Sequence, residues 1–154
     1  MSPAGPTDRV WYYYLDLEGY LWHDGIAFDD PQFLNFFMKN MERLPDGQFR
    51  VFCQGEECRI VPEDVPYVIR DVEILPNTIG LTFPGDYRET LDPKTLSVGK
   101  LNVLYCRVRN GQFEARFNRK SYWEIAKHIR FDPKKKIFFL KVDNQRYPIK
   151  NTGQ

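Results

Sequence analysis

The chain has 154 residues, 42% of them hydrophobic and 16% aromatic, which fits one packed domain and excludes a disordered protein. No apolar run approaches the ~18 residues of a membrane-spanning helix, so no membrane association is expected. The net charge of +1 hides an imbalance: residues 1–68 hold 5 Lys/Arg against 12 Asp/Glu, and residues 69–154 hold 17 against 9. Halves of opposite sign attract each other, and a cleft between them would offer both signs to a ligand.

The opening MSPAGPTDRV has neither a basic segment nor an apolar core. It predicts no signal peptide, a disordered lead-in over residues 1–9, and a cytoplasmic location by default. Cys53, Cys58 and Cys106 are then expected as reduced thiols. Together with His23 and His128 they show none of the close Cys–Cys or His–His pairs of zinc sites, so no metal and no cofactor are expected.

From residue 10 the chain reads as strands. Aromatic and branched residues in VWYYYLDLEGYL, with a turn at Glu18-Gly19, predict one strand and its return over 20–23, broken by Asp24-Gly25. Asp30 and Pro31 suit the cap and first position of a helix. Phe33, Phe36, Phe37, Met41 and Leu44 recur at helical spacing, and Pro45-Asp46-Gly47 is read as the stop. Two strands follow, 48–53 and 58–61, around Gln54-Gly55-Glu56-Glu57; Pro62 and Pro66 end their pairing. Residues 67–75 alternate as one strand that pairs with 77–83 across Pro76-Asn77, and 85–99 is a loop with one helical turn in 90–96.

The first pattern then returns. Residues 105–113 repeat a strand, a glycine turn and a return. Asn118 caps a helix with Tyr122, Ile125, Ala126 and Ile129 on one face, ended by Asp132-Pro133. Residues 137–142 and 146–149 make a last hairpin around Asp143-Asn144. The fold class read from this order is α+β: duplicated β-β-α-β-β units with mostly antiparallel sheets, in residues 10–68 and 69–154, forming one compact unit.

Candidate chemistry concentrates at two places. Glu56, Glu57, Glu63 and Asp64 supply carboxylates for general acid–base work if their neighbours separate their pKa values, but acidic turn residues are ordinarily solvated. Asp64 before Val65-Pro66 suits a structural bond that fixes the chain's exit. Arg107 and Arg109 share a face by two-residue periodicity, while Arg116 and Arg119 flank a helix start, a setting that suits phosphate or carboxylate. These arginines serve either an anionic ligand or pairing with the acidic half. Lys134-Lys135-Lys136 reads as a solvated turn, so nucleic acid is not an expected partner.

VRNGQFEARFNRKSYWEI resembles the C-terminal signature of the bacterial domain-of-unknown-function family 1285, and FRVFCQGEECRIVPEDVPYVIRDVEI matches without gaps the segment of that family ending in Asp-Asp-Ala-Pro-Phe-Val. The same stretch, with Asp30-Pro31-Gln32-Phe33-Leu34, is similar to the UPF0598 proteins (domain-of-unknown-function family 4505). Glu56, Asp64 and Pro66 match both motifs, and Arg107, Glu114 and Arg119 match the first. The family's Thr-Pro before the acidic turn is Cys53-Gln54 here, and the linker is shorter. The first resemblance implies a duplicated α+β arrangement with a C-terminal half loosely like a pleckstrin-homology barrel. It also implies a regulatory, signal-transduction role with a ligand at the interface of the halves. The expected function is a non-enzymatic ligand-binding or regulatory module. Glu56, Asp64 and Tyr67 would face Arg107, Arg116 and Arg119 around an anionic, nucleotide-like molecule. The alternatives are a protein–protein interaction module, and a hydrolase or transferase using the Glu56 and Asp64 carboxylates.

Overall fold

The computed structural model describes residues 9–153, so the lead-in expected over 1–9 lies, but for its last residue, outside the described residues. The chain is α+β, with four sheets and two α-helices among the described residues. The first half runs β1 (Val10–Leu15), β2 (Leu21–His23), β3 (Ile26–Phe28), α1 (Pro31–Asn40), β4 (Glu42–Arg43), β5 (Phe49–Cys53) and β6 (Glu56–Pro62). These strands form one sheet in the order β3-β2-β1-β6-β5-β4. Every neighbouring pair is antiparallel except β1 and β6, which run parallel from Val10 opposite Glu57 to Leu15 opposite Pro62. The hairpin turns at Asp24-Gly25 and Gln54-Gly55 place both residues at positive φ. That is the turn whose twist matches the flanking strands. Alternation along β1 sends Tyr13 and Leu15 into the core and leaves Tyr12 and Tyr14 exposed.

Helix α1 begins as expected, with the Asp30 side chain accepting from the amides of Gln32 and Phe33. It ends at Asn40, before the Pro45-Asp46-Gly47 stop, because the chain extends at Met41 and Glu42–Arg43 pairs with β5. The helix buries Leu34, Phe37 and Met38, while Phe36 is 40% exposed. The core-facing stripe is therefore rotated from the expected one, with only Phe37 and Met41 of the five expected residues fully buried.

The rest of the chain, beginning with a strand that straddles the expected 68/69 boundary, runs β7 (Tyr67–Ile69), β8 (Asp71–Ile74), β9 (Ile79–Thr82), β10 (Arg88–Thr90), β11 (Ser97–Val98), β12 (Leu104–Val108), β13 (Phe113–Phe117), α2 (Arg119–Ala126), β14 (Ile129–Asp132), β15 (Ile137–Val142), β16 (Gln145–Pro148) and β17 (Lys150–Asn151). Its sheets are β17-β11-β12-β13-β7, β10-β9-β8 and β14-β15-β16. The stretch expected as one strand over 67–75 breaks at Arg70 and serves two sheets: β7 pairs parallel with β13, and β8 pairs with β9. All of β7 is buried, whereas β8 is exposed but for Val72, which is half-buried. Helix α2 stops at Ala126, ahead of Asp132-Pro133, and the residues between pair with β15, Ile129 opposite Leu140.

The element order around the two helices differs: among the described residues three strands precede and three follow α1, whereas seven precede and four follow α2 in the rest of the chain, and the pairing differs too. In the first half β1 and β6 join the two hairpins into one sheet. In the second, β11 and β7 occupy the edges of the β12–β13 hairpin, and the last hairpin forms its own sheet with β14.

A continuous apolar core crosses the halves, from Phe37, Met38 and Val51 through Tyr67 and Phe83 to Phe117, Ile125 and Leu140. Gly85 marks a close approach between the loop after β9 and helix α1. Its φ is +72°, and a Cβ there would lie 2.3 Å from the Asn35 amide nitrogen of α1. Asn35 Nδ2 donates to the Gly85 carbonyl at 3.0 Å, tying the helix to this loop.

Candidate functional site

Strands β12 and β13 turn Cys106, Ala115 and Phe117 into the core and leave Tyr105, Arg107, Glu114 and Arg116 on the opposite face. Arg116 stands directly across from Tyr105. Asp64, in the bend between β6 and β7, reaches both: it accepts from the Tyr105 hydroxyl at 2.6 Å and from Arg116 Nη1 at 2.7 Å. This salt bridge joins the acidic half to the basic one. Burial, and then the bond to Asp64, push the Tyr105 hydroxyl up to about 12. The Nε of Arg116 is buried and has no hydrogen-bond partner among the described residues.

Beside this pair a groove of about 380 Å³ opens along the seam, lined among others by Leu17 and Glu18 of the first half and by Leu101, Arg116, Arg119 and Trp123 of the second. Asn118 sets its floor. The side-chain carbonyl caps α2 by accepting from Ser121 N at 2.9 Å, and its Nδ2 donates to the Glu18 carbonyl at 3.1 Å. The Asp16–Tyr20 turn is thereby fixed against the helix start. Arg119, the first helical residue, is exposed at the lip. Trp123 is 63% exposed and Leu101 95%, the latter at φ 58°. The groove combines guanidinium groups, a helix N-terminus and an apolar wall.

Arg116 and Arg119 thus share the groove, with Asp64 bonded to Arg116, while Glu56, Tyr67 and Arg107 lie outside its lining. Glu56 accepts from the Trp11 indole and lines a separate hollow of about 290 Å³ with His23, Phe33, Cys53 and Cys58. Burial, followed by the charges of Cys53 and Glu56, pushes the Cys58 thiol up to about 11. Arg107 uses Nε to hold the Gly111 carbonyl at 2.8 Å, and its amide donates to Thr95 Oγ1. It braces the β12–β13 turn.

Tyr67 is fully buried, and its hydroxyl donates to the Met38 carbonyl at the end of α1. It also accepts from Arg109 Nη1 at 3.1 Å, and that nitrogen donates to the Met41 carbonyl at 2.6 Å. Burial raises the Tyr67 hydroxyl to about 12, with Arg109 pulling the other way. The expectation that Arg109 shares a face with Arg107 does not hold. Strand β12 ends at Val108, and Arg109 opens the turn at φ 52°, which sends its guanidinium inward. Its amide is held by the Glu89 carboxylate, which the Tyr87 hydroxyl also contacts. Glu89 and Tyr87 carry no periodic or motif signal that would have singled them out in sequence.

Among the described residues, no three of His, Cys, Asp and Glu are grouped to hold a metal ion, and no helix is long and apolar enough to cross a membrane. No family model and no curated protein matches the chain. Among solved structures, a DUF1285 family protein of Silicibacter pomeroyi superposes with a TM-score of 0.68 at 17% identity, covering 97% of this chain and 90% of that one. A duf1285 family protein of Shewanella baltica superposes with a TM-score of 0.58 at 16% identity, covering 75% of this chain and 90% of that one. Both belong to the first of the two groups that the sequence resembles, and the chain has the fold of these family 1285 structures.

Proposed function

We propose that the protein is a non-enzymatic binding module, regulatory in role, whose seam groove takes an anion carried on a planar or apolar body, as in a nucleotide. The observation that carries this reading is the convergence of Arg116, Arg119 and the first turn of α2 beside the exposed Trp123 and Leu101. Guanidinium groups and free first-turn amides bind phosphate or carboxylate, and an indole face offers stacking area. Catalysis by Glu56 and Asp64 has less support, since Glu56 opens on a hollow that Asp64 does not line. The reduced thiols fit a cytoplasmic setting.

Two finer readings of the fold accompany this proposal. A helix with a hairpin on either side, β1–β2 and β5–β6 around α1, and β12–β13 and β15–β16 around α2, supports descent of the halves (10–68 and 69–154) from a duplicated β-β-α-β-β unit, with other strands added and the pairing since rearranged. The likeness of the second half to a pleckstrin-homology barrel rests on the family resemblance.

The test is thermal melting with ATP, ADP, AMP and inorganic pyrophosphate. A ligand at about 100 times its Kd adds roughly 2.7 kcal/mol of stability, an easily read shift. Nucleotides should raise the melting temperature of the natural protein and not that of Arg119→Ala or Trp123→Ala. Equal shifts in all three proteins, or no shift with any of the four compounds, would sink the reading.

A further inference from the structure

The outer face of the first sheet carries a second candidate site, remote in character from the seam groove. Tyr14 on β1 stands opposite Trp22 on β2, and Tyr12 follows two residues back on the same face. Tyr12 is 53%, Tyr14 59% and Trp22 37% exposed, an unusual concentration of aromatic surface on one sheet. The three rings line a shallow hollow of about 600 Å³ together with Asp16, Asp24, Gly25 and Glu63, so its lining has three carboxylates and no lysine or arginine.

The arrangement is held in place before any partner arrives. Asp16 Oδ1 accepts from the amides of Glu18 and Tyr20, and Oδ2 accepts from the Trp22 indole at 2.9 Å. One carboxylate thus fixes both the β1–β2 turn and the tryptophan ring. The Asp24-Gly25 turn sets the far rim, with Asp24 3.4 Å from His23 Nε2.

We infer that this face docks an arginine-bearing segment of a protein partner, with a guanidinium seated over Tyr12, Tyr14 and Trp22 and facing Glu63 and Asp24. Electron-rich ring faces attract cations, and the surrounding carboxylates supply the complementary charge. Guanidinium is favoured over ammonium because it is planar, weakly hydrated and able to stack and to bond carboxylates at the same time. The same sheet face already shows the contact: Arg50 lies over the Phe52 ring at 4.6 Å from its centre. The hollow is open, with the rings on a sheet rather than around a cavity, so a cationic side chain presented on a longer segment fits it better than a free small molecule. Acidic lining disfavours nucleic acid, whose phosphates it would repel.

The test is fluorescence anisotropy with a fluorescein-labelled Gly-Arg repeat peptide, and with Gly-Lys, Gly-Glu and oligouridylate probes of equal length. The arginine peptide should bind best. Tyr14→Ser and Tyr12→Ser should each weaken it by roughly twofold to fivefold, the range that an exposed cation–π contact supports. Both variants should keep the natural melting temperature, because both rings are more than half exposed. Glu63→Gln should weaken binding and flatten its salt dependence, while Arg119→Ala, in the seam groove, should leave it unchanged. Unaltered binding by Tyr14→Ser, equal binding of the lysine peptide, tighter binding of oligouridylate, or no binding of the arginine peptide to the natural protein would each overturn the inference.

Discussion

Arg109 donates to the hydroxyl of Tyr67 at 3.1 Å, and the pair closes the C-terminal end of helix α1. The hydroxyl occupies the Met38 carbonyl and the guanidinium the Met41 carbonyl, two groups that a helix end leaves without intrahelical partners. A cation at this end is also favoured by the helix dipole. The middle of the seam is thus a filled wall, while its rim at Arg116 and Arg119 stays open. This division explains how halves of opposite charge can fuse through a core and still present a groove.

Tyr67→Phe should cost about 1–3 kcal/mol in urea melts, since it strands a buried carbonyl without a donor. Arg109→Met should cost at least as much, because it strands the Met41 carbonyl and loses the cation contact over Phe113, 5.0 Å from the ring centre. The double mutant should lose less than the sum of the two, with a coupling of about 0.5–3 kcal/mol. Strict additivity would show that the two side chains act separately.

Alkaline conditions should unfold the protein earlier than its composition suggests. In the folded state Tyr67 and Tyr105 are raised from 10.0 to about 12, and Cys58 from 9.0 to about 11. A raised pKa means that the folded chain holds the proton more tightly. The stability it contributes is complete below the unfolded value and is lost as pH climbs through the folded one. Melting temperature should be level up to pH 9 and fall between pH 9 and 12. Tyr67→Phe, lacking the most buried of these groups, should show a shallower fall over the same window. An identical slope in the variant would remove Tyr67 from the account.

Local features of this fold were legible because their causes are local. Asp30-Pro31 and Asn118 mark helix starts, and Asp24-Gly25, Gln54-Gly55 and Asp143-Asn144 mark tight turns, since the residues themselves supply the caps and the positive φ. The parallel pairing of β1 with β6 and the split of 67–75 at Arg70 were not legible. Both depend on which strand edge a distant segment finds. The same holds at the site. Asp64 meets Arg116 only because two segments far apart in sequence pack together. Tyr67 is hidden because helix α1, whose Met38 lies 29 residues earlier in the chain, ends on it, which no feature of Val65-Pro66-Tyr67 announces.

Gly85→Ala should be among the most damaging single changes. Two costs combine there: a positive φ that alanine avoids, and a Cβ 2.3 Å from the Asn35 nitrogen and 2.7 Å from the Leu34 carbonyl carbon. Those are backbone atoms of α1, so relief requires moving the helix. A loss of roughly 3 kcal/mol or more is expected. Gly47→Ala is the control: its φ is +89°, with nothing within 4 Å of the added carbon, and it should cost only about 1 kcal/mol. Equal losses at the two positions would mean that the close approach to α1 carries no weight.

Asp64→Asn separates the two roles that Arg116 can play. The carboxylate holds Nη1 of Arg116 and the Tyr105 hydroxyl, and both arginine and aspartate side chains are partly accessible, 14% and 30% exposed. A pair so placed contributes modestly, and the asparagine can still accept from Tyr105, so the stability loss should be about 1 kcal/mol or less. Removing the negative charge releases the guanidinium toward the groove. If the groove takes anions, the variant should bind pyrophosphate or ATP severalfold more tightly than the natural protein, with a steeper salt dependence, and Arg116→Met should bind neither well. Calorimetric titration reads both affinities directly. A variant that is less stable but binds no better would leave Asp64 and Arg116 as a strut between the halves.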